Sequence, residues 1–157
     1  CERYPIVSIE DPLAEDDPEG FARFTQAVGH RLQVVGDDFL VSDAALLRRA
    51  AAAGAANTVL LKPNQRGTLS ETRQCWQAAQ ALGYSAIVSA RSGETEDTTI
   101  VDLAIGWQVG QLKVGSFARG ERMAKWNAAL RIEQRLGPHA RFAGTGVLGR
   151  SRPGLRR

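Results

Sequence analysis

The run Thr58-Val59-Leu60-Leu61 ends abruptly in Lys62-Pro63-Asn64. Four β-branched or leucine side chains without polar alternation suit a strand buried on both faces, as in a parallel sheet. The same design recurs in both directions along the chain. Upstream, Leu32–Val35 ends in Gly36-Asp37-Asp38, and Ile6–Ile9 ends in Glu10-Asp11-Pro12. Downstream, Ala86–Ser89 ends in Ala90-Arg91-Ser92-Gly93, and Gln111–Val114 carries Lys113. The strand-end positions Glu10, Asp37, Lys62, Ala90 and Lys113 lie 27, 25, 28 and 23 residues apart. One strand and one helix fill each interval.

Helix signals occupy the gaps. Asp16-Asp17-Pro18 puts a capping carboxylate ahead of a first-turn proline and predicts a helix to about Val28, before Gly29. A second is predicted after Ser42, through Ala44–Ala53 to Gly54. Thr68 and Glu71 form a capping box for a third, closed by Gly83. A fourth is expected over roughly Glu96–Trp107. A fifth is expected over roughly Glu121–Leu136, closed by Gly137, with Met123, Trp126 and Leu130 on one face. Consecutive βα units predict an α/β fold with a parallel sheet, open or curved into part of a barrel. Five units fall short of the eight of a closed (β/α)8 barrel.

In such an array all C-terminal strand ends face one rim, where chemistry is built. Four of the five ends carry charge: Glu10 and Asp37, Lys62 and Lys113. Converging carboxylates need a cation between them, and hard oxygen donors suit Mg²⁺. Neighbouring ammonium groups favour the neutral amine, which is a general base. Arg91-Ser92-Gly93 offers a guanidinium, a hydroxyl and pliant backbone, a set suited to phosphate. Taken singly, Glu10 and Asp37 read equally well as caps, the lysines as snorkelling surface residues, and Arg91 as a partner of Glu94 or Glu96. Repetition on successive strand ends favours the joint functional reading.

These segments resemble the enolase family. Tyr4–Pro12 with Glu15-Asp16-Asp17 looks like its strand bearing a magnesium ligand, and Val34–Asp38 like the next ligand strand. Leu60–Gln65 is similar to the strand of the catalytic lysine, with Pro63 where many members have valine. Arg91–Thr98 matches the family's longest signature, Gln111–Gly115 its last barrel strand, and Glu121–Glu133 its closing helix. The resemblance implies the C-terminal part of a (β/α)8 TIM-type barrel and dehydration of 2-phosphoglycerate to phosphoenolpyruvate in glycolysis. It implies Glu10 and Asp37 as Mg²⁺ ligands, Lys62 as catalytic base, Lys113 on the substrate carboxylate, and Arg91 and Ser92 on its phosphate. A Lys or His base beside one or two Mg²⁺ ions is already known for the enolase superfamily. The family also implies a homodimer in the cytoplasm acting on a small phosphorylated carboxylic acid.

Ala90 departs from the pattern, standing where the signature has a histidine. His30 falls at a helix end and His139 in a tail loop. An alternative reading is therefore a catalytically impaired relative that binds or scaffolds, or a truncated gene product. The chain opens on Cys1-Glu2 and is read as a fragment, with the family's third metal ligand and acid glutamates expected upstream. Residues 1–144 are assigned to the barrel portion, and 145–157 to a basic, disordered tail.

Composition is compatible with this reading. The chain has 157 residues, 43% hydrophobic, with 20 basic against 17 acidic side chains. Arg150, Arg152, Arg156 and Arg157 supply much of the excess, without the interleaved aromatics of a nucleic-acid surface. No apolar run approaches the roughly 18 residues of a membrane span. Cys1 and Cys75 form neither a disulfide framework nor a metal pair, and Cys75 is expected to be a buried small hydrophobe.

Overall fold

The computed structural model describes residues 3–148. Five strands form one parallel sheet in chain order: β1 (Ser8–Glu10), β2 (Gln33–Gly36), β3 (Thr58–Leu61), β4 (Ser85–Ser89) and β5 (Leu112–Lys113). The helices are α1 (Pro18–Val28), α2 (Ala44–Ala52), α3 (Pro63–Arg66), α4 (Leu69–Leu82), α5 (Thr99–Gly106) and α6 (Gly120–Leu136). Short 3-10 turns follow at Gly137–His139 and Gly144–Val147. Each crossover between neighbouring strands contains a helix, as parallel pairing requires. The strands curl into a partial TIM barrel of five βα units.

Every residue of β2 and β3 is buried. Their helix-facing side chains meet Phe21, Leu47, Cys75 and Trp76 from the flanking helices, forming one core with Val34, Val59, Leu61 and Val88. Phe39 stacks on Phe21 with ring centroids 4.0 Å apart. Gly36 closes β2 where a Cβ would come within 2.6 Å of Leu40 Cγ. A larger residue there would push Leu40 out of the core and move the adjoining Asp37.

The capping signals are used. Asp17 accepts from the Gly20 N–H at 2.7 Å, and Pro18 opens α1. Thr68 accepts from the Glu71 N–H at 3.2 Å, and its hydroxyl donates to Glu71 Oε2 at 2.7 Å. Gly83 ends α4 in the left-handed conformation, φ 74°. α3 went unread in the sequence; Pro63, following the strand end directly, supplies its pre-set first turn.

Two expectations need correction. α5 starts at Thr99 rather than near Glu96. Thr95 Oγ1 accepts the Asp97 N–H, and the Asp97 carboxylate accepts the Thr99 N–H and hydroxyl, so side-chain turns replace helix there. α6 half-buries Met123 and Trp126, the latter stacked on Phe117, but neither is its deepest contact. It buries Arg122, Lys125 and Ala128, while Leu130 is 61% exposed. The surface beneath α6 presents backbone carbonyls, which call for donors rather than methyls.

The start of the segment assigned to a tail, Thr145 to Val147, belongs to the 3-10 turn Gly144–Val147, with Val147 against Gly110. Its Arg150, Arg152, Arg156 and Arg157 lie outside the described residues, as does Cys1. Cys75 is free and fully buried, and burial pushes its thiol up to about 12. No helix among the described residues is long and apolar enough to cross a membrane.

Candidate active site

The rim at the C-terminal strand ends opens into a cleft of about 600 Å³. Asp37, Lys62, Arg91, Ser92 and Lys113 all line it, together with Ala90. Arg119 and Arg122 add two further cations, against Asp37 and Asp38 as the acidic lining groups. The balance is positive, which concentrates anions.

Lys62 follows β3, and its Nζ donates to Asp37 Oδ2 at 2.5 Å. Both side chains are 10% exposed. Asp37 Oδ1 is buried and has no hydrogen-bond partner among the described residues. The Lys62 N–H donates to Ser42 Oγ at 2.8 Å, and Ser42 Oγ donates to Leu60 O at 2.9 Å, so the base of this side chain is pinned at the strand end.

Lys113, on β5, reaches Glu10 on β1. Its Nζ lies 2.6 Å from Oε1 and 2.7 Å from Oε2. Glu10 is therefore held by a lysine in this structure and lies outside the cleft's lining, whereas Asp37 faces into it. A different group comes close to Asp37. Oxygens of Asp11, Asp37 and Asp38 lie within 4.8 Å of one another. Asp11 is a poorer free donor than that proximity implies, because its two carboxylate oxygens accept the Asp37 and Asp38 N–H groups at 2.8 and 2.9 Å.

The Arg91–Thr98 segment is irregular and crosses the rim between β4 and α5. Ala90 continues the β4 ladder by donating its N–H to Lys113 O at 2.9 Å. The Arg91 N–H donates to Glu94 Oε1 at 2.8 Å, and its guanidinium approaches Asn64 Oδ1 at 3.4 Å. Glu94 also pairs with Lys125 at 2.9 Å. At the far end of the segment, the Asp97 carboxyl is held below its usual range by the Thr99 backbone N–H and then by the Thr99 hydroxyl.

Residues 1–150 match the family model for the enolase C-terminal TIM barrel domain. The chain belongs to this family. The match passes the Gly144 boundary drawn from the sequence and takes in all five strands. Glu10, Asp37, Lys62, Arg91, Ser92 and Lys113 all lie on the matched segment, and all except Glu10 line one cleft.

The residues that sequence reasoning passed over are Asp11, Arg122 and Lys125, whereas Glu94 is named from the sequence as a partner of Arg91 and does accept its N–H. Asp11, Arg122 and Lys125 lie inside segments quoted for the resemblance but carried no assigned role; for the two cations on α6 a signal existed. Their one available signal was the spacing Arg122-x-x-Lys125-x-x-Ala128, which places two cations and a small residue on one helical face.

Proposed function

We propose that this domain serves an enolase-type lyase that dehydrates 2-phosphoglycerate to phosphoenolpyruvate. The observation that carries the reading is the convergence of Lys62, Lys113, Arg91 and Ser92 with Asp37 on one cleft. These groups match the substrate's parts: an acidic carbon, a carboxylate and a phosphate.

Lys62, as the neutral amine, takes the proton from the carbon beside the carboxylate, whose electron pair moves into the carboxylate group. That proton is very weakly acidic, and the dianionic product demands positive charge close by. Lys113 donates to the carboxylate oxygens and meets that charge as it grows. Arg91 and Ser92 bind the phosphate and fix the reacting carbon over Lys62. Hydroxide then leaves the next carbon as water, taking its proton from a general-acid glutamate of the family's preceding barrel segment, which completes the elimination.

The buried, unpartnered Asp37 Oδ1 fits a hard cation. Asp37 and Glu10 would hold Mg²⁺, and Glu10 would have to exchange its Lys113 contact for the ion. Bound there, Mg²⁺ supplies positive charge to the substrate carboxylate. By the same family reading the protein works as a cytoplasmic homodimer in glycolysis.

Calorimetric titration with 2-phosphoglycerate in Mg²⁺ buffer tests the assignment. Arg91→Met and Lys113→Met are each expected to weaken binding by about tenfold or more, the scale of a lost charged hydrogen bond. Affinity unchanged in both would rule out this orientation. Turnover is measured as phosphoenolpyruvate formation after joining the chain to the family's preceding barrel segment, where Lys62→Ala must abolish it.

Ala90 favours a second reading. Its methyl lines the cleft and can neither donate nor accept a hydrogen bond. A domain that binds phosphorylated acids and turns them over slowly would behave this way. Ligand binding without turnover in the joined protein would select it.

A further inference from the structure

Arg91 and Ser92 sit on a segment with no helix or strand of its own, so something else must hold it over the cleft. Two cations from α6 do so. Arg122 Nη1 donates to Val114 O at 3.0 Å, and its Nη2 donates to Ser92 O at 2.8 Å. One planar guanidinium thus bridges the residue after Lys113 and the phosphate turn. One helical turn further on, Lys125 Nζ donates to Thr95 O at 2.9 Å and to Glu121 O at 3.0 Å. Lys125 also pairs with Glu94, whose other oxygen accepts the Arg91 N–H. Lys125 is fully enclosed and the Glu94 side chain is 11% exposed.

Enclosing an ammonium group is costly, and an apolar helix face would often be at least as stable. A fixed fork and a three-donor ammonium, however, hold backbone carbonyls at set positions, which methyl groups cannot do. Both cations act on the same segment, one on each side of Gly93.

We propose that Arg122 and Lys125 are positioning residues. They hold the Ser92–Thr95 loop in the geometry that binds phosphate, and tie that loop to the strand end carrying Lys113. The inference rests on the phosphate subsite proposed above. It assigns α6 the task of keeping two substrate contacts, the phosphate turn and Lys113, at a constant separation.

The test uses the whole chain, with Arg122→Lys and the double variant Lys125→Met/Glu94→Gln. Arg122→Lys keeps the charge but cannot span two carbonyls as a rigid fork. The double variant removes both members of the buried pair, so that neither charge is left unpaired and folding is preserved. Amide hydrogen exchange at Arg91 and Asp97, whose N–H groups are bonded to Glu94 and Thr95 of the loop, should accelerate in both, by about tenfold for an opening that loses one or two such bonds, while β3 keeps its wild-type protection. Affinity for inorganic phosphate, measured by calorimetry, should weaken on the same scale. Wild-type exchange in both variants would overturn the proposal. So would lost phosphate affinity in Arg122→Lys without faster loop exchange, because Arg122 would then be touching the anion itself. Arg91→Met separates the two claims. Phosphate affinity that survives it refutes the subsite, whereas the exchange data judge the α6 clamp independently.

Discussion

Lys113 and Glu10 are joined by two hydrogen bonds of 2.6 and 2.7 Å, although their strands are the first and last members of the five-stranded sheet. A flat sheet keeps such ends apart by four strand spacings, close to 20 Å at roughly 4.8 Å each. The twist and curl of a barrel arc bring them back together at the rim. The same curvature gathers side chains from successive strands around one cleft.

The Asp37–Lys62 pair predicts an asymmetric stability response. Lys62→Met leaves the buried Asp37 carboxylate with neither oxygen paired and should destabilise the domain by about 3–5 kcal/mol. Lys62→Met/Asp37→Asn should recover a large part of that loss, since no isolated charge remains. Urea unfolding of both variants gives the comparison, and equal losses would contradict it.

Ala90→His should raise turnover in the chain joined to the family's preceding barrel segment. A preorganised polar partner at the substrate is worth about a hundredfold in rate, or roughly 3 kcal/mol. Calorimetric Mg²⁺ affinity should barely change, because residue 90 is not a proposed ligand. Steady-state phosphoenolpyruvate formation reads the effect, and an unchanged rate would mean that another residue fills the role.

Asp43 caps α2, and the Leu46 N–H is the main cause that holds its carboxyl below the usual range. A folded-state value below the unfolded one means the contribution is complete above the unfolded value of about 3.9. It is lost as pH falls through the folded value. Asp43→Ala should therefore cost about 1 kcal/mol at neutral pH and little in strong acid. Urea midpoints for both proteins between pH 7 and pH 2 should converge on the acid side.

Cys75 should resist thiol reagents while the domain is folded. It is fully buried, and burial raises its thiol to about 12, so almost no thiolate exists at neutral pH. Labelling with an aromatic disulfide reagent should follow unfolding in urea. In a Cys1→Ser chain, where Cys75 is the one remaining thiol, rapid modification of the native protein at pH 8 would show that α4 opens readily.

The chain should self-associate. β1 and β5 are outer strands of three and two residues, and Ile6, Val7, Phe117, Leu130 and Phe142 are exposed apolar side chains. Unpaired edges beside exposed apolar groups favour association. Sedimentation velocity should detect species larger than 17.0 kDa, growing with concentration. A single sharp monomer boundary across that range would count against it.

Much of the fold is legible in local patterns. Short apolar runs such as Thr58–Leu61 carry enough buried side chains to be strands without any knowledge of their neighbours. Asp17-Pro18, Thr68 with Glu71, and Gly83 place helix ends because capping is satisfied within one turn. The failures have one local cause and one tertiary cause. At Thr95–Thr99, hydroxyl and carboxylate turns compete with helix, and a periodicity argument does not weigh them. On α6, apolar periodicity named Met123, Trp126 and Leu130, but the helix lies over carbonyl groups that only donors satisfy.

By itself, the sequence determined the βα alternation, the parallel sheet and the row of charged strand ends, because these depend on short-range periodicity and spacing. Tertiary structure alone decided the partners. Spacing along the chain does not say that Lys113 would take Glu10 from 103 residues away, that one Asp37 oxygen would remain unpaired, or that Asp11 would cap the backbone of the next strand. Nor does it say that Lys125 would be sealed beneath the Ser92–Thr95 loop. Those outcomes follow from sheet curvature and from which buried carbonyls and carboxylates still need a donor once the chain has closed around them.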